Sequence, residues 1–225
     1  MHPVNEHVKR REYDNSRRRA RADEHRQHII DAARELIVEH GYHSTTISDI
    51  ARAADVHVDT VYQLVGRKPL VLRELVEQAI SGVGNPVDAE ARDYVVAFRA
   101  EADPLRKLAI YAHATRTIHE RLAPLLASLR DAAVTEPDAL EVWREISDRR
   151  AANMRRLVDD LRMAGGVRAD LSLDAAADTI WVTNSPELYL MLTVERGWTV
   201  DAYEQWLIDV WSRFLAPGQT AANRA

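Results

Sequence analysis

Cysteine is absent from this chain, phenylalanine occurs twice, and glycine and proline occur eight times each in 225 residues. Without cysteine there is neither a disulfide framework nor thiol chemistry, which suits a reducing compartment. No apolar run reaches the roughly 18 residues of a membrane span, and Met1-His2-Pro3-Val4 opens no secretory signal. Glycine-rich phosphate loops, nucleophile elbows and paired-carboxylate motifs are missing, so no enzyme is expected. His25-x-x-His28 and His40-x-x-His43 lack a third ligand, so they read as surface histidines, and neither metal nor cofactor is expected. An excess of positive charge is also lacking. The net charge of −5 argues against a general nucleic-acid coat, yet it leaves room for a local basic surface. What is present, 46% hydrophobic and 29% charged residues, describes a soluble cytoplasmic chain with core enough for one large domain or two smaller ones.

Strand signals are absent and helical ones abundant, so the expected class is all-α. Residues 1–23 carry Lys9-Arg10-Arg11, Arg17-Arg18-Arg19 and Arg21 without apolar periodicity. They read as a basic disordered arm, either solvated or folded onto a DNA groove. A first helix is predicted from Asp23 or Glu24 to His40, with Ile29, Ile30, Ala33, Leu36 and Ile37 as its stripe. Gly41 ends it.

Residues Thr46–Lys68 organise the rest. The spacing predicts a short helix over Ile47–Ala53, a tight turn through Ala54-Asp55-Val56, and a second short helix over Val58–Leu64. Thr46 and Asp49 fit a capping box. Ile47, Ile50 and Ala51 share one face, Val56 plugs the turn, and Val61 and Leu64 bury the second helix. This is the layout of a helix-turn-helix DNA reader whose second helix enters the major groove. The side chains at that helix's start, His57, Val58, Asp59, Thr60 and Gln63, are those expected to reach base edges. Gln63 suits adenine, Val58 and Thr60 suit a thymine methyl, and Asp59 either accepts from cytosine or steadies the helix N-terminus.

Gly41-Tyr42, Thr46-Ile47, Asp49-Ile50-Ala51, Val56, Thr60-Val61-Tyr62 and Lys68 together resemble the signature of the tetracycline-repressor (TetR) family of one-component regulators, over about Arg26 to Ala79. The resemblance implies an N-terminal three-helix DNA-binding domain followed by a helical ligand-binding and dimerisation bundle. It also implies phosphate contacts from Thr46, Tyr62 and Lys68, and a base contact from Arg52. Three positions depart from the pattern. Asp55 stands where glycine is usual, His57 where a serine cap is usual, and Gln63-Leu64-Val65 where basic or aromatic residues are common.

A fourth helix is predicted over Lys68–Ser81, with Leu70, Val71, Leu75, Val76, Ala79 and Ile80 on its apolar side. Gly82-Val83-Gly84-Asn85-Pro86 then breaks the chain. The domains are therefore drawn at 1–23, 24–82 and 83–216, with a frayed tail at 217–225. Further helices are expected over Asp88–Ala100, Pro104–Leu122, Leu125–Val134, Pro137–Met163, Leu173–Glu195 with a break at Ser185-Pro186, and from Thr199 onward. Polar residues on apolar faces mark a candidate effector site. On the long helix, Leu140, Trp143, Ser147, Arg150, Met154, Leu157 and Leu161 recur at helical steps, so Ser147 and Arg150 interrupt a dry seam. Arg150 needs an acid, with Glu187 or Asp178 as candidates, or an anionic ligand. Trp181, Asn184 and Glu187 at the Pro186 break, and Tyr111, His113 and Arg116, complete the set. Tyr203, Trp206, Leu207, Val210, Trp211, Phe214 and Leu215 form an apolar stripe on the last helix.

The expectation is a homodimeric repressor, paired through its last two helices, on a palindromic operator of double-stranded DNA. A small-molecule effector would release it, and there is no membrane partner. A same-fold activator or ligand-independent binder is the first alternative; an all-helical scaffold or enzyme is the second.

Overall fold

The computed structural model describes residues 5–81 and 89–216, all of them helix, turn or loop without a strand. The expected chain break at Gly82–Pro86, the frayed tail and the first four residues lie outside the described residues. Two compact units divide between Leu75 and Val76, within the fourth helix.

In the first unit α1 spans Asn5–His40, α2 Ile47–Ala53 and α3 Val58–Leu64, and α4 begins at Lys68. The first helix starts well before the expected Asp23 or Glu24, so the basic stretch after Val4 is helical backbone. From Asn5 to His40 there is neither glycine nor proline, and arginine, alanine and glutamate are good helix formers. Propensity extends this helix where an apolar stripe is lacking. Ile29, Ile30, Ala33 and Ile37 are buried, as are Tyr42, Ile50, Ala51 and Val61. The Thr46–Asp49 capping box forms in full. Asp55 takes a φ of 53°, the left-handed turn that glycine would occupy most easily. His57 stands at the N-cap of α3 without a side-chain hydrogen bond. On α4 Leu72 is buried and Leu70 is 40% exposed, so the expected apolar side is shifted at its start.

In the second unit α4 ends at Ser81, a 3-10 turn follows at Ala89–Ala91, and the helices are α5 (Asp93–Ala100), α6 (Pro104–Ala133), α7 (Pro137–Met163), α8 (Leu173–Thr183), α9 (Pro186–Leu190) and α10 (Val200–Leu215). The central element is α6, packed against α5, α7, α9 and α10. It continues without a break through Pro124, where a restart or a kink was expected. A proline inside a helix forfeits one backbone hydrogen bond. Here Leu122, Ala123, Leu125, Leu126 and Leu129 are buried on both sides of it, and their packing holds the helix whole.

The buried line on α7 is Ala139, Val142, Ile146, Met154, Leu157, Val158 and Leu161. It agrees with the expected seam over its second half and slips by one residue over the first, leaving Leu140, Trp143 and Ser147 half-buried. The expected seam followed a strict seven-residue repeat, and a straight helix drifts about 20° per heptad from that repeat. Tyr203, Leu207, Trp211 and Leu215 of α10 are fully buried within this unit, while Trp206, Val210 and Phe214 flank them half-buried. Four of the seven residues of the expected stripe are thus internal core.

Candidate nucleic-acid interface and interior cavity

The outer edge of α3 is open. Val58 is 37% and Tyr62 49% exposed, and His57, Asp59 and Gln63 are exposed too, with Thr60 half-buried. Val61, with no exposure, anchors the opposite side. The helix therefore presents its polar edge because one valine is locked beneath it. Arg26 of α1 ties the hairpin at its far end, donating to the Leu64 carbonyl at 3.2 Å and pairing with Glu74 at 2.8 Å.

Three residues expected on phosphate or base already have partners. The Thr46 hydroxyl accepts from the Asp49 amide at 3.1 Å and donates to the Asp49 carboxylate at 2.6 Å. The Thr46 amide also donates to that carboxylate. Those bonds, the hydroxyl's first, hold the Asp49 carboxyl below the usual carboxylate range. Arg52 pairs with the same carboxylate. Lys68 donates to the Tyr42 carbonyl at 3.0 Å and lies 3.9 Å over the Tyr42 ring.

The second unit holds a cleft-like cavity of about 670 Å³, within the size range of small-molecule sites. Phe98, Ile118, Leu122, Leu126, Ile146 and Leu157 supply its apolar wall. Of the ten expected effector residues, Tyr111, Arg150, Met154 and Asn184 line it. Trp181 stands behind the wall, its ring 4.9 Å from the Arg150 guanidinium. The other five lie apart. His113 and Arg116 pair with Glu204 on α10, Arg130 takes Glu187 and lies over the Trp143 ring, and Ser147 is half-buried outside the lining.

Arg150 has neither expected acid. Glu187 is paired to Arg130, Asp178 is exposed, and the Arg150 Nη2 donates instead to the Trp181 carbonyl at 2.7 Å and to Asn184 Oδ1 at 3.0 Å. The chain break explains the carbonyl. Helix α8 ends at Thr183, and the Ser185 amide turns back to Val182, so Trp181 loses the donor a continuing helix would supply. The carbonyl freed near Pro186 is thus that of Trp181. Asn184 Nδ2 in turn donates to the Tyr111 hydroxyl at 2.7 Å, and that hydroxyl lies 3.2 Å from the Met154 sulfur. Burial lowers the Arg150 pKa and raises that of Tyr111.

Thr115 and His119 line the cavity as well and were not among the expected site residues. Their signal was available, since both are polar positions on the buried side of α6. The His119 Nδ1 lies 3.3 Å from the Tyr203 hydroxyl, and its ring packs on Tyr189 and Tyr203. Burial, with Arg150 as the smaller cause, holds its pKa down at about 3. The unfolded imidazole titrates near 6.5, so below that pH the unfolded chain gains a proton that the folded chain refuses. Stability is then full above about pH 6.5 and falls by up to about 1.4 kcal/mol per unit as the pH drops toward 3. Between pH 7 and pH 5 the native chain should lose about 2 kcal/mol more than His119→Gln in urea unfolding. Parallel pH dependences would remove the histidine from this role.

Among the described residues no group of three or more histidine, aspartate or glutamate side chains is placed to hold a metal, and no helix is long and apolar enough to cross a membrane. Residues 29–64 match the model of the family described as bacterial regulatory proteins, tetR family. The HTH-type transcriptional regulator HbdR of Aromatoleum sp. (strain CIB) is 32% identical over 102 residues, 40% of this chain and 44% of that protein. The chain thus matches less than half the length of that curated relative. Two solved structures share the fold across most of both chains. The transcriptional regulator FadR of Bacillus subtilis, in complex with stearoyl-CoA, superposes with a TM-score of 0.67 at 20% identity, covering 82% of this chain and 96% of that one. NalD, the secondary repressor of the MexAB-OprM multidrug efflux pump in Pseudomonas aeruginosa, gives 0.65 at 20% identity, covering 88% and 99%.

Proposed function

We propose that this chain, whose residues 29–64 match the tetR-family model, is a regulator of that family and a sequence-specific transcriptional repressor released from DNA by a small molecule. The observation that carries the reading is the exposed Val58–Gln63 edge of α3, aimed outward by the buried Val61. A homodimer with two such helices about 34–36 Å apart spans successive major grooves of a palindromic operator. The faces left for pairing are half-buried Trp206, Val210 and Phe214 on α10, with exposed Val182, Met191 and Val194 nearby in sequence. The protein acts in the cytoplasm.

The cavity is the effector site in this reading. NalD is a repressor, and the Bacillus subtilis FadR structure holds an acyl thioester, so the fold accommodates both roles. Helix α4 supplies the link. It carries Glu74, paired with Arg26, and one turn later Glu77, paired with Arg149 at the cavity wall. An effector that favours another setting of that wall displaces the helix, and only this difference in affinity drives release.

A gel shift with the DNA flanking the chain's own gene tests the assignment. Gln63→Ala should weaken binding by about 1–3 kcal/mol and relax preference at one base pair. Tyr62→Phe should weaken it by less and uniformly across sequences, since a phosphate contact positions without specifying. An unaltered shift in both variants contradicts the reading.

A further inference from the structure

Arg150 is a half-buried cation facing a largely apolar cavity, and among the described residues it has no carboxylate within ion-pair distance. A guanidinium removed from water without a counter-charge is costly, and neutral partners offset only part of that cost. Its partners are a carbonyl and an amide oxygen, both on the same nitrogen, Nη2. A guanidinium has five N–H donors in a rigid fork, so Nη1 and Nε are left without a hydrogen bond. Of the other arginines around the cavity, three are engaged, and Arg92 is half-buried with its Nε lacking a hydrogen bond. Arg149 pairs with Glu77, Arg99 with Glu90, and Arg156 bonds Asn153.

The neutral groups beside Arg150 are arranged for the same purpose. Asn184 uses its oxygen on Arg150 and its nitrogen on the Tyr111 hydroxyl, so the three side chains form one network. The Tyr111 hydroxyl already accepts from Asn184, and its own proton faces a thioether sulfur, a weak acceptor. A carboxylate oxygen would be a far better one. Phe98, Ile118, Leu122 and Leu126 give the wall an apolar stretch, and Glu77, Glu90, Thr115, His119, Asp159 and Asp160 line it as well.

Resting on the reading that this cavity holds the effector, we propose that the effector is a free carboxylic acid with an apolar tail. Its carboxylate is taken by Arg150 with Tyr111 as second donor, and its tail lies against Phe98, Ile118, Leu122 and Leu126. Dodecanoate is the probe, with dodecanol and the coenzyme A thioester of the same chain as its counterparts. The alcohol lacks the anion, and the thioester has a neutral carbonyl in its place, with its phosphates a pantetheine arm away.

Isothermal titration calorimetry on the full chain without DNA should show dodecanoate binding at least about tenfold tighter than either counterpart, since charge-assisted bonds exceed neutral ones by about that factor. Arg150→Gln should weaken dodecanoate by about ten- to a hundredfold and leave dodecanol unchanged, while Arg150→Lys recovers part of the loss. Arg213→Gln, at an exposed arginine of α10 that pairs with Asp209 outside the cavity lining, should leave both unchanged. A thermal melt with circular dichroism checks that each variant folds; if Arg150→Gln does not, Tyr111→Phe serves, with a smaller expected loss confined to the acid. Equal binding of acid and alcohol, preference for the thioester, or an Arg150→Gln variant that holds dodecanoate as before overturns the proposal. These results are independent of operator binding, so a chain that fails the gel shift yet binds the acid sinks the regulatory reading alone.

Discussion

Trp211→Ala is expected to lower the unfolding free energy of the second unit by about 3–5 kcal/mol, the range for emptying a buried tryptophan site. The residue has no exposure, and its ring stacks on Tyr111 at 5.4 Å between centroids. Its Nε1 donates to the Thr183 hydroxyl at 2.7 Å. Truncation therefore removes an aromatic pair, leaves a void beside the cavity wall and orphans an acceptor. Trp211→Phe keeps most of the volume and the stacking, and should cost clearly less. Urea unfolding followed by far-UV circular dichroism reads both. A loss under about 1 kcal/mol for alanine would mean that the site collapses around the gap, contrary to a tightly packed core.

Asp160→Ala should cost about 3 kcal/mol, at the lower end of what breaking a buried pair entails because Asp160 keeps some contact with water. Lys107 is only 3% exposed, and its ammonium donates to the Asp160 carboxylate and to the Phe98 carbonyl, both at 2.6 Å. Removing the acid leaves a cation in the core beside a single carbonyl. Replacing both partners with apolar residues, Lys107→Met with Asp160→Leu, should recover most of the loss, because the desolvation cost disappears with the charge. If the double variant is no more stable than the single one, the cost comes from packing and not from the stranded ammonium.

Short-range chemistry made the helix-turn-helix hairpin legible in sequence down to single residues. Thr46 with Asp49 marked the start of α2, Asp55 the turn, and His57 the uncapped entry to α3, and the structure places each as expected. Local signals failed where distant packing decides. Pro124 reads as a break, yet the neighbours of α6 override it. The start of α1 carries no apolar stripe, so periodicity gave no sign of a helix that propensity alone sustains. For the cavity, the sequence marked Arg150 as a misfit on a dry face but could not name its partners. A backbone carbonyl freed by a helix end has no letter in the sequence, and Asn184 reaches Arg150 only because α8 stops there.

The boundary inside α4 has a consequence for folding. A helix propagates cheaply but is costly to nucleate, so a break at Leu75 would leave two short stubs, each marginal alone. Melting of either half therefore frays the one helix to which both halves contribute residues.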